Sequence, residues 1–169
     1  MERKLGLTAT QRVALIKNQA SALLWYGKIE TTEARAKEVA SYVAKIITLA
    51  VNTYADTIET EVKVADEKGK ETTKTLIKDG VKKLNARRKI MTMVNDLHEV
   101  KAEKESKADF KKRTKEITHR LVEKIFDEYA PKYDARKEEK GQGGGYTRIY
   151  KLGARRGDAA EKAIIELVD

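Results

Sequence analysis

The chain has 169 residues, of which 40% are apolar, and its 36 Lys and Arg residues against 27 Asp and Glu residues give a formal charge of +9. This size and composition predict a single domain, residues 1–169, with a buried core and a polyanionic partner. The absence of cysteine excludes disulfides, thiolate metal sites and thiol catalysis. No segment has the apolar length of a signal peptide or a membrane span, so we expect a soluble cytoplasmic protein that contacts no membrane.

The N-terminal third predicts two amphipathic helices joined by a short extended link. Thr8 and Gln11 have the spacing of a capping box, and apolar residues recur at three- and four-residue steps up to Gly27, a glycine suited to a left-handed cap. Residues 28–31 form the link, and Thr32 is placed to cap the second helix. The apolar stripe of that helix runs through Ala36, Val39, Ala40, Val43, Ile46, Ile47 and Ala50.

The middle of the chain has a less regular pattern. Residues 57–80 alternate weakly around a Glu-Lys-Gly-Lys turn, which indicates an inserted hairpin or a mobile loop. A third helix is predicted from about Val81 to Leu97, and residues 99–113 are either its continuation or a solvated linker. A fourth helix should end at Pro131, followed by a flexible connector up to Gly145. Its inner face would carry Ile117, Leu121, Val122, Ile125 and Tyr129.

The C-terminal segment predicts a basic hairpin. Residues 146–152 and 163–168 have the aromatic, β-branched and apolar composition of short strands. The loop between them carries Arg155, Arg156 and Gly157, and the planar guanidinium group suits phosphate oxygens. This loop is our first candidate for contact with nucleic acid, and two solvated turn arginines are the alternative.

Other basic residues extend the candidate surface. Cations gather at the start of the third helix, where they oppose the helix dipole, so we infer that something other than helix stability favours them. Arg148 and Lys151 should lie on opposite faces of a regular strand. Tyr146 and Tyr150 share a face with Arg148 and could stack on unpaired bases or pack on helices. The candidate RNA-binding residues are Arg3, Lys4, Arg12, Lys17, Arg35, Arg87, Arg88, Arg148, Lys151, Arg155 and Arg156.

Patterns for catalysis are weak. His98 and His119 lie far apart in the sequence and lack the spacing of a helical metal site. The glycines at 141 and 143–145 precede a strand and are not followed by Lys-Ser or Lys-Thr, which excludes a phosphate-binding P-loop. We therefore predict that the protein is not an enzyme and uses no metal or other cofactor.

Two separated blocks resemble the bacterial large-subunit ribosomal protein seventeen family. The first is Gly-Lys-Ile-Glu-Thr-Thr-Glu-Ala-Arg-Ala-Lys-Glu at 27–38, followed by Ile-Thr-Leu-Ala at 47–50, and the second spans 143–169. The resemblance implies an α+β fold with two layers, in which several helices pack on a small mixed sheet completed by a C-terminal hairpin. The predicted order of helix, strand, helices and two strands agrees with this fold.

The resemblance also implies a function. It indicates a structural constituent of the large ribosomal subunit that binds large-subunit ribosomal RNA (rRNA) near the outlet of the polypeptide exit tunnel and supports subunit assembly. The implied partners are this rRNA and neighbouring large-subunit proteins, with no small-molecule substrate.

The chain departs from the family pattern at several places. Residues 57–80, 99–113 and 137–142 exceed the usual family length, and their mixed charge predicts projections or contacts with neighbouring proteins. Glu2 and Leu7 dilute an N-terminal arm that is usually more basic. Glu161 and Lys162 stand where the family often has Pro and Met.

Two other classes of function stay open at this level. A regulator that binds DNA or messenger RNA would use the basic third helix, but the sequence shows no compelling helix-turn-helix. A protein-interaction scaffold would use the additional segments, and its binding would survive nuclease treatment.

Overall fold

The computed structural model describes residues 3–65, 71–97, 99–115 and 118–168. Helices and strands alternate along the chain in an order close to the predicted one. The elements are α1 (Ala9–Tyr26), β1 (Lys28–Thr32), α2 (Glu33–Val51), β2 (Thr57–Ala65), β3 (Glu71–Asp79), α3 (Val81–Met93), α4 (Lys107–Thr114), α5 (Arg120–Lys124), a π-helical turn (Ile125–Tyr129), α6 (Ala130–Lys140), β4 (Thr147–Ala154) and β5 (Glu161–Leu167).

A three-stranded sheet joins the two ends of the chain in the order β1-β5-β4. Both pairings are antiparallel, and Glu166 of β5 lies opposite Lys28 of β1 and Arg148 of β4. The α+β fold is confirmed, with one correction, because the sheet is uniformly antiparallel where a mixed sheet was expected. The short connection between β4 and β5 leaves no room for the crossover that a parallel pair needs.

The core is organised around α2. Its predicted stripe is fully buried except for Ala40, which is partly buried. α2 packs against α1, α3, α6 and the strands β4 and β5. From the sheet, Ala163 and Ile165 of β5 complete this core. The regular apolar spacing of α2 therefore determines where the layers meet.

Local signals define both ends of α1. The backbone N–H of Gln11 donates to Thr8 Oγ1 over 3.5 Å, and the N–H of Thr8 donates to Gln11 Oε1 over 3.3 Å, which confirms the capping box. Gly27 has φ of 80° and its N–H donates to the carbonyl of Leu23, so it is the left-handed cap. Only the C-terminal half of the apolar stripe is buried, since Val13 remains 52% exposed.

Residues 57–65 and 71–79 form a two-stranded antiparallel hairpin, which decides between the predicted hairpin and loop. The predicted turn at 67–70 lies outside the described residues. At the base of the hairpin, Asp56 Oδ2 accepts from the backbone N–H groups of Lys82 (2.8 Å) and Lys83 (3.3 Å), at the start of α3. A Cβ on Gly80 would lie 2.4 Å from the Asp56 carboxylate, so any other residue there would displace this carboxylate. That 57–80 is an addition to the family stays a prediction.

The helix predicted up to Leu97 ends four residues earlier, at Met93. Val94 is extended, and the next backbone N–H, of Asn95, donates to Ser21 Oγ of α1 over 2.8 Å. Because this long-range hydrogen bond uses the N–H of Asn95, the residue does not continue α3. Residues 107–114 then form a separate short helix capped by Ser106, so the 99–113 segment is neither a continuation of α3 nor entirely a linker.

The prediction that Pro131 ends a helix is wrong. The N–H of Ala130 donates to the carbonyl of Ile125, five residues back, and Pro131 then lies in the first turn of α6. A proline is tolerated in a first turn because its missing N–H has no intrahelical acceptor there. α6 continues to Lys140, so the connector predicted at 132–145 is mostly helix. Ile117 lies outside the described residues.

Candidate nucleic-acid interface

The β4–β5 turn, β1 and the first turn of α2 surround a cleft of about 240 Å³, which we call the turn cleft. It brings together three cations from distant parts of the sequence, namely Arg35 of α2, Arg155 of the turn and Lys162 of β5. Lys162 forms an ion pair with Glu30 of β1 on the same wall. The remaining lining residues are Gln19, Thr31 and Thr32. The cleft thus places two of the predicted RNA-binding residues side by side.

Within the turn, Arg155 is oriented by Asp158. Arg155 Nε donates to Asp158 Oδ1 over 2.8 Å and Nη2 donates to Oδ2 over 2.6 Å. The Arg155 guanidinium, with help from the N–H of Ala160, lowers the pKa of Asp158 to about 2. Backbone bonds from Arg155 N–H to the Ala160 carbonyl and from Ala159 N–H to the Arg155 carbonyl, both 2.9 Å, close the turn. Arg156 is exposed to solvent next to this ordered residue.

The Asp158 pKa gives a first prediction. A carboxylate whose folded pKa is lowered to about 2 from 3.8 stabilises the turn fully above pH 3.8 and loses this effect as the pH falls through about 2. In a carboxyl ¹³C NMR titration we expect Asp158 to stay largely ionised at about pH 3. Arg155→Ala is the control and should return the midpoint toward 3.8. A wild-type midpoint already near 3.8 would contradict the paired geometry.

Arg148 and Lys151 face opposite sides of β4, as predicted. Arg148 is opposite Glu166 and exposed, whereas Lys151 is opposite the buried Ala163. Lys151 Nζ lies 3.2 Å from Glu33 Oε1 at the start of α2. Lys37 and then Lys151 lower the pKa of Glu33 by hydrogen bonding to its carboxylate. Of these two residues, Arg148 is therefore the one on the outer face of the sheet.

Tyr146 does not form a base-stacking surface with Tyr150. It is buried, and its ring meets Tyr133 of α6 edge to face with centroids 4.9 Å apart. Its hydroxyl also accepts from Thr48 Oγ1 over 3.3 Å. The alternative prediction, in which a strand tyrosine packs on a helix, is correct for Tyr146, while Tyr150 remains 42% exposed.

Arg87 is held within the protein. Its Nε donates to Asp79 Oδ2 of β3 over 2.7 Å, and its Nη1 donates to Glu123 Oε1 of α5 over 2.5 Å. The guanidinium also lies 5.2 Å from the centre of the Phe126 ring. Arg87 thus joins the hairpin base, α3 and the C-terminal helices, and its contact with RNA stays a prediction. The neighbouring Arg88 is exposed.

Carboxylates at the base of the hairpin lie close to the first residues of α3. Lys83 Nζ lies 3.2 Å from Asp79 Oδ1, and Asp56 accepts from the first N–H groups of the helix. Negative charge from the hairpin base therefore offsets the unfavourable position of these lysines relative to the helix dipole. Contacts with the hairpin base are thus one influence, other than intrinsic helix stability, that favours cations at this position.

The N-terminal candidates lie along α1 and α2. Arg3 Nε is 3.8 Å from Glu38 Oε1, which places the arm one helical turn from Arg35. Lys4 is exposed, and Arg12 and Lys17 are half-buried along α1.

Three basic residues were missed by the sequence analysis. Lys162 lines the turn cleft, while Arg136 and Lys140 of α6 line a second cleft together with Arg148. The residues of α6 were assigned to a flexible connector, so nothing placed them beside the sheet. For Lys162, its closeness to Arg155 in the predicted loop was the available signal.

Within the described part of the chain, no cluster of three or more His, Asp or Glu side chains has the geometry to hold a metal ion. His119 Nδ1 lies 3.5 Å from Asp96 Oδ2, and His98 is not among the described residues. The same described residues contain no helix with the length and apolar character needed to cross a membrane.

Comparison with known families decides the assignment. A family model described as Ribosomal protein L17 matches residues 15–168. The chain belongs to the ribosomal protein L17 family. The resemblance seen in the two sequence blocks is thereby confirmed, and as a member of this family the protein is a structural ribosomal protein and not an enzyme.

Individual relatives agree with the family assignment over nearly the whole chain. A protein of Lachnospira eligens is 42% identical over 185 aligned residues, covering 98% of each chain. A protein of Acetivibrio thermocellus is 39% identical, covering 99% of this chain and 98% of the relative. A protein of Clostridium botulinum is 36% identical, covering 98% and 96% respectively. Each of these relatives is named large ribosomal subunit protein bL17.

Proposed function

We propose that the protein is a constituent of the large ribosomal subunit that binds large-subunit rRNA and supports subunit assembly. The observation that carries this proposal is the turn cleft, in which Arg35, Arg155 and Lys162 converge beside the exposed Arg156. Arginine forks bind phosphate oxygens in a bidentate manner, which suits a nucleic-acid backbone. The names of the L17 relatives support the large subunit as the location.

The mechanism is electrostatic assembly. Lysine and arginine side chains replace counterions on RNA, and the rigid α+β fold fixes the relative positions of the RNA segments that they contact. Binding should therefore depend strongly on salt. If roughly six phosphates are neutralised, affinity falls on the order of a thousandfold between about 50 and 200 mM salt.

The charge distribution supports different partners for different parts of the surface. Residues 81–136 carry 16 basic and 10 acidic residues, whereas residues 57–80, which include the β2–β3 hairpin, carry five basic and six acidic residues. A surface that faces phosphates should be more basic than this hairpin. We assign the hairpin to contacts with neighbouring ribosomal proteins, and the family resemblance supports a position near the outlet of the exit tunnel.

Gradient sedimentation of a native bacterial lysate tests the proposal. We expect the protein, located by mass spectrometry, to be stoichiometric in the large-subunit peak and to leave it progressively in a high-salt wash. Cross-linking of the same fraction should join the turn cleft to rRNA near the tunnel outlet and the hairpin to protein neighbours. Recovery only in free fractions or on chromosomal DNA would overturn the ribosomal function and favour a regulator.

A further inference from the structure

A second basic cleft lies at the other end of the β4–β5 pair, against the C-terminal end of α6. Its volume is about 520 Å³, and we call it the end cleft. Three of its lining side chains are cationic and one, Glu166, is a carboxylate. The lining residues are Arg136, Lys140, Gln142, Arg148, Glu166, Leu167 and Val168.

Arg136 is the unusual member of the end cleft, because its guanidinium is buried and forms no ion pair with a carboxylate of the described residues. The residue is 8% exposed, and its Nη2 donates to the carbonyl of Gly144. Its Nε is buried and makes no hydrogen bond. Among the described residues, no carboxylate lies within 4.0 Å of its guanidinium nitrogens. A buried charge in this condition is costly unless something else compensates it.

Two aromatic rings supply part of that compensation. The guanidinium carbon of Arg136 lies 5.0 Å from the ring centre of Tyr133 and 5.7 Å from that of Tyr146. Cation–π contacts of this kind contribute about 0.5 to 2 kcal/mol, less than the cost of burying an unpaired charge. The packing therefore fixes the guanidinium in place and leaves a positive potential at the wall of the cleft.

The cleft is formed before any ligand arrives. Gly141 ends α6 with φ of 63°, and the chain turns back toward the sheet, where the N–H of Val168 donates to the carbonyl of Tyr146 over 2.9 Å. Arg148 is held opposite Glu166 by the β4–β5 register. Among the described residues, no ion pair joins Arg148 to Glu166. The strand register therefore sets the side of the sheet on which both side chains lie.

We propose that the end cleft binds one phosphate group of the rRNA backbone, an inference that rests on the proposed function. Arg148 and Lys140 are exposed and contact the phosphate oxygens, while Arg136 contributes its fixed charge from the wall. Glu166 offsets one of the three positive charges, and the charge that remains is enough to attract the single negative charge of one phosphodiester. The protein then holds RNA at both ends of one hairpin, at the turn cleft and at the end cleft.

The test compares two variants that each remove two positive charges. The cleft variant is Lys140→Ala with Arg148→Ala, and the control is Lys45→Ala with Lys137→Ala, whose side chains are exposed and do not line either basic cleft. Arg136 is left intact because it is packed in the core. The affinity of each full-length protein for transcribed large-subunit rRNA is measured by filter binding over a range of salt concentrations.

We expect the affinity of the cleft variant for rRNA to be about tenfold lower than that of the wild type. The slope of log K against log salt concentration should become shallower by about 0.7 to 0.9, which is the effect of one lost phosphate contact. The control should keep the wild-type slope. Equal slopes for cleft variant and wild type, with wild-type RNA binding intact, would overturn the end cleft alone. Failure of the wild type to bind rRNA would overturn the proposed function with it.

A second measurement separates backbone phosphate from free phosphate. Inorganic phosphate is titrated into ¹⁵N-labelled wild-type protein while the amide signals of residues 140–148 are followed by NMR. We expect no saturation below about 10 mM, since one phosphate in an open cleft binds weakly without the rest of the RNA. Saturation at submillimolar phosphate would identify a free-anion site and overturn the assignment to RNA.

Discussion

Replacing Arg155 and Arg156 together by alanine should lower the affinity for large-subunit rRNA about hundredfold without unfolding the protein. Each arginine is expected to make a charge-assisted hydrogen bond to phosphate, at about 1.5 kcal/mol each. Both residues lie in an exposed turn, and neither belongs to the core. The affinity is measured by filter binding at fixed salt, and incorporation into large subunits is measured by gradient sedimentation of cells that express the variant.

A charge-preserving variant is the matched control for this change. Arg155→Lys with Arg156→Lys keeps both positive charges but loses the planar guanidinium groups, and in Arg155 it also loses the paired hydrogen bonds to Asp158. It should therefore bind with an affinity between those of the wild type and the alanine variant. Unfolding curves of all three proteins should be similar, because the Arg155–Asp158 pair is exposed and exposed ion pairs contribute little to global stability. Normal incorporation of the alanine variant would remove the turn from the RNA-binding surface.

Arg87→Ala should lower the free energy of unfolding by about 2 to 3 kcal/mol. The substitution leaves the carboxylates of Asp79 and Glu123 without the guanidinium that joins them, and removes the contact with the Phe126 ring. Asp79 still keeps Lys83 at 3.2 Å, which limits the loss. The free energy is measured by urea denaturation, with the midpoint and slope determined separately.

Arg88→Ala provides the comparison for Arg87, because the neighbouring residue has the same charge but an exposed side chain. Its stability should stay within about 0.5 kcal/mol of the wild type. If the start of α3 also faces rRNA, Arg88→Ala weakens binding without a change in stability. The opposite pattern, in which Arg87→Ala keeps its stability but loses RNA affinity, would show that Arg87 contacts RNA and that its ion pairs contribute little to the fold.

The sequence predicts best where a signal depends on near neighbours. The Thr8 and Gln11 cap, the left-handed Gly27 and the stripe of α2 all depend on contacts within one or two helical turns or on a single backbone conformation. The two C-terminal strands are likewise predicted within one or two residues of their ends. The two family blocks are also read directly from the sequence.

Prediction fails where the hydrogen bonding of the folded chain departs from the simple local pattern. The helical pattern after Met93 is interrupted by a hydrogen bond to Ser21, 74 positions earlier. Pro131 is a helix breaker by local rules, but the π-helical turn before it places the proline where no donor is needed. At Asn95 a distant side chain competes with the helix for a backbone N–H, and at Pro131 a local change of helix type makes the proline acceptable.

The amino-acid sequence alone determined the α+β class, the order of most elements, the family and the basic C-terminal turn, because periodicity, caps and ordered motifs are properties of adjacent residues. Tertiary structure alone decided which cations share a surface. It brought Arg35, Arg155 and Lys162 into one cleft and Arg136, Lys140 and Arg148 into another, and it joined Arg87 to two carboxylates. The physical reason is that charge acts through space, so the effect of a cation depends on neighbours that only the folded chain supplies.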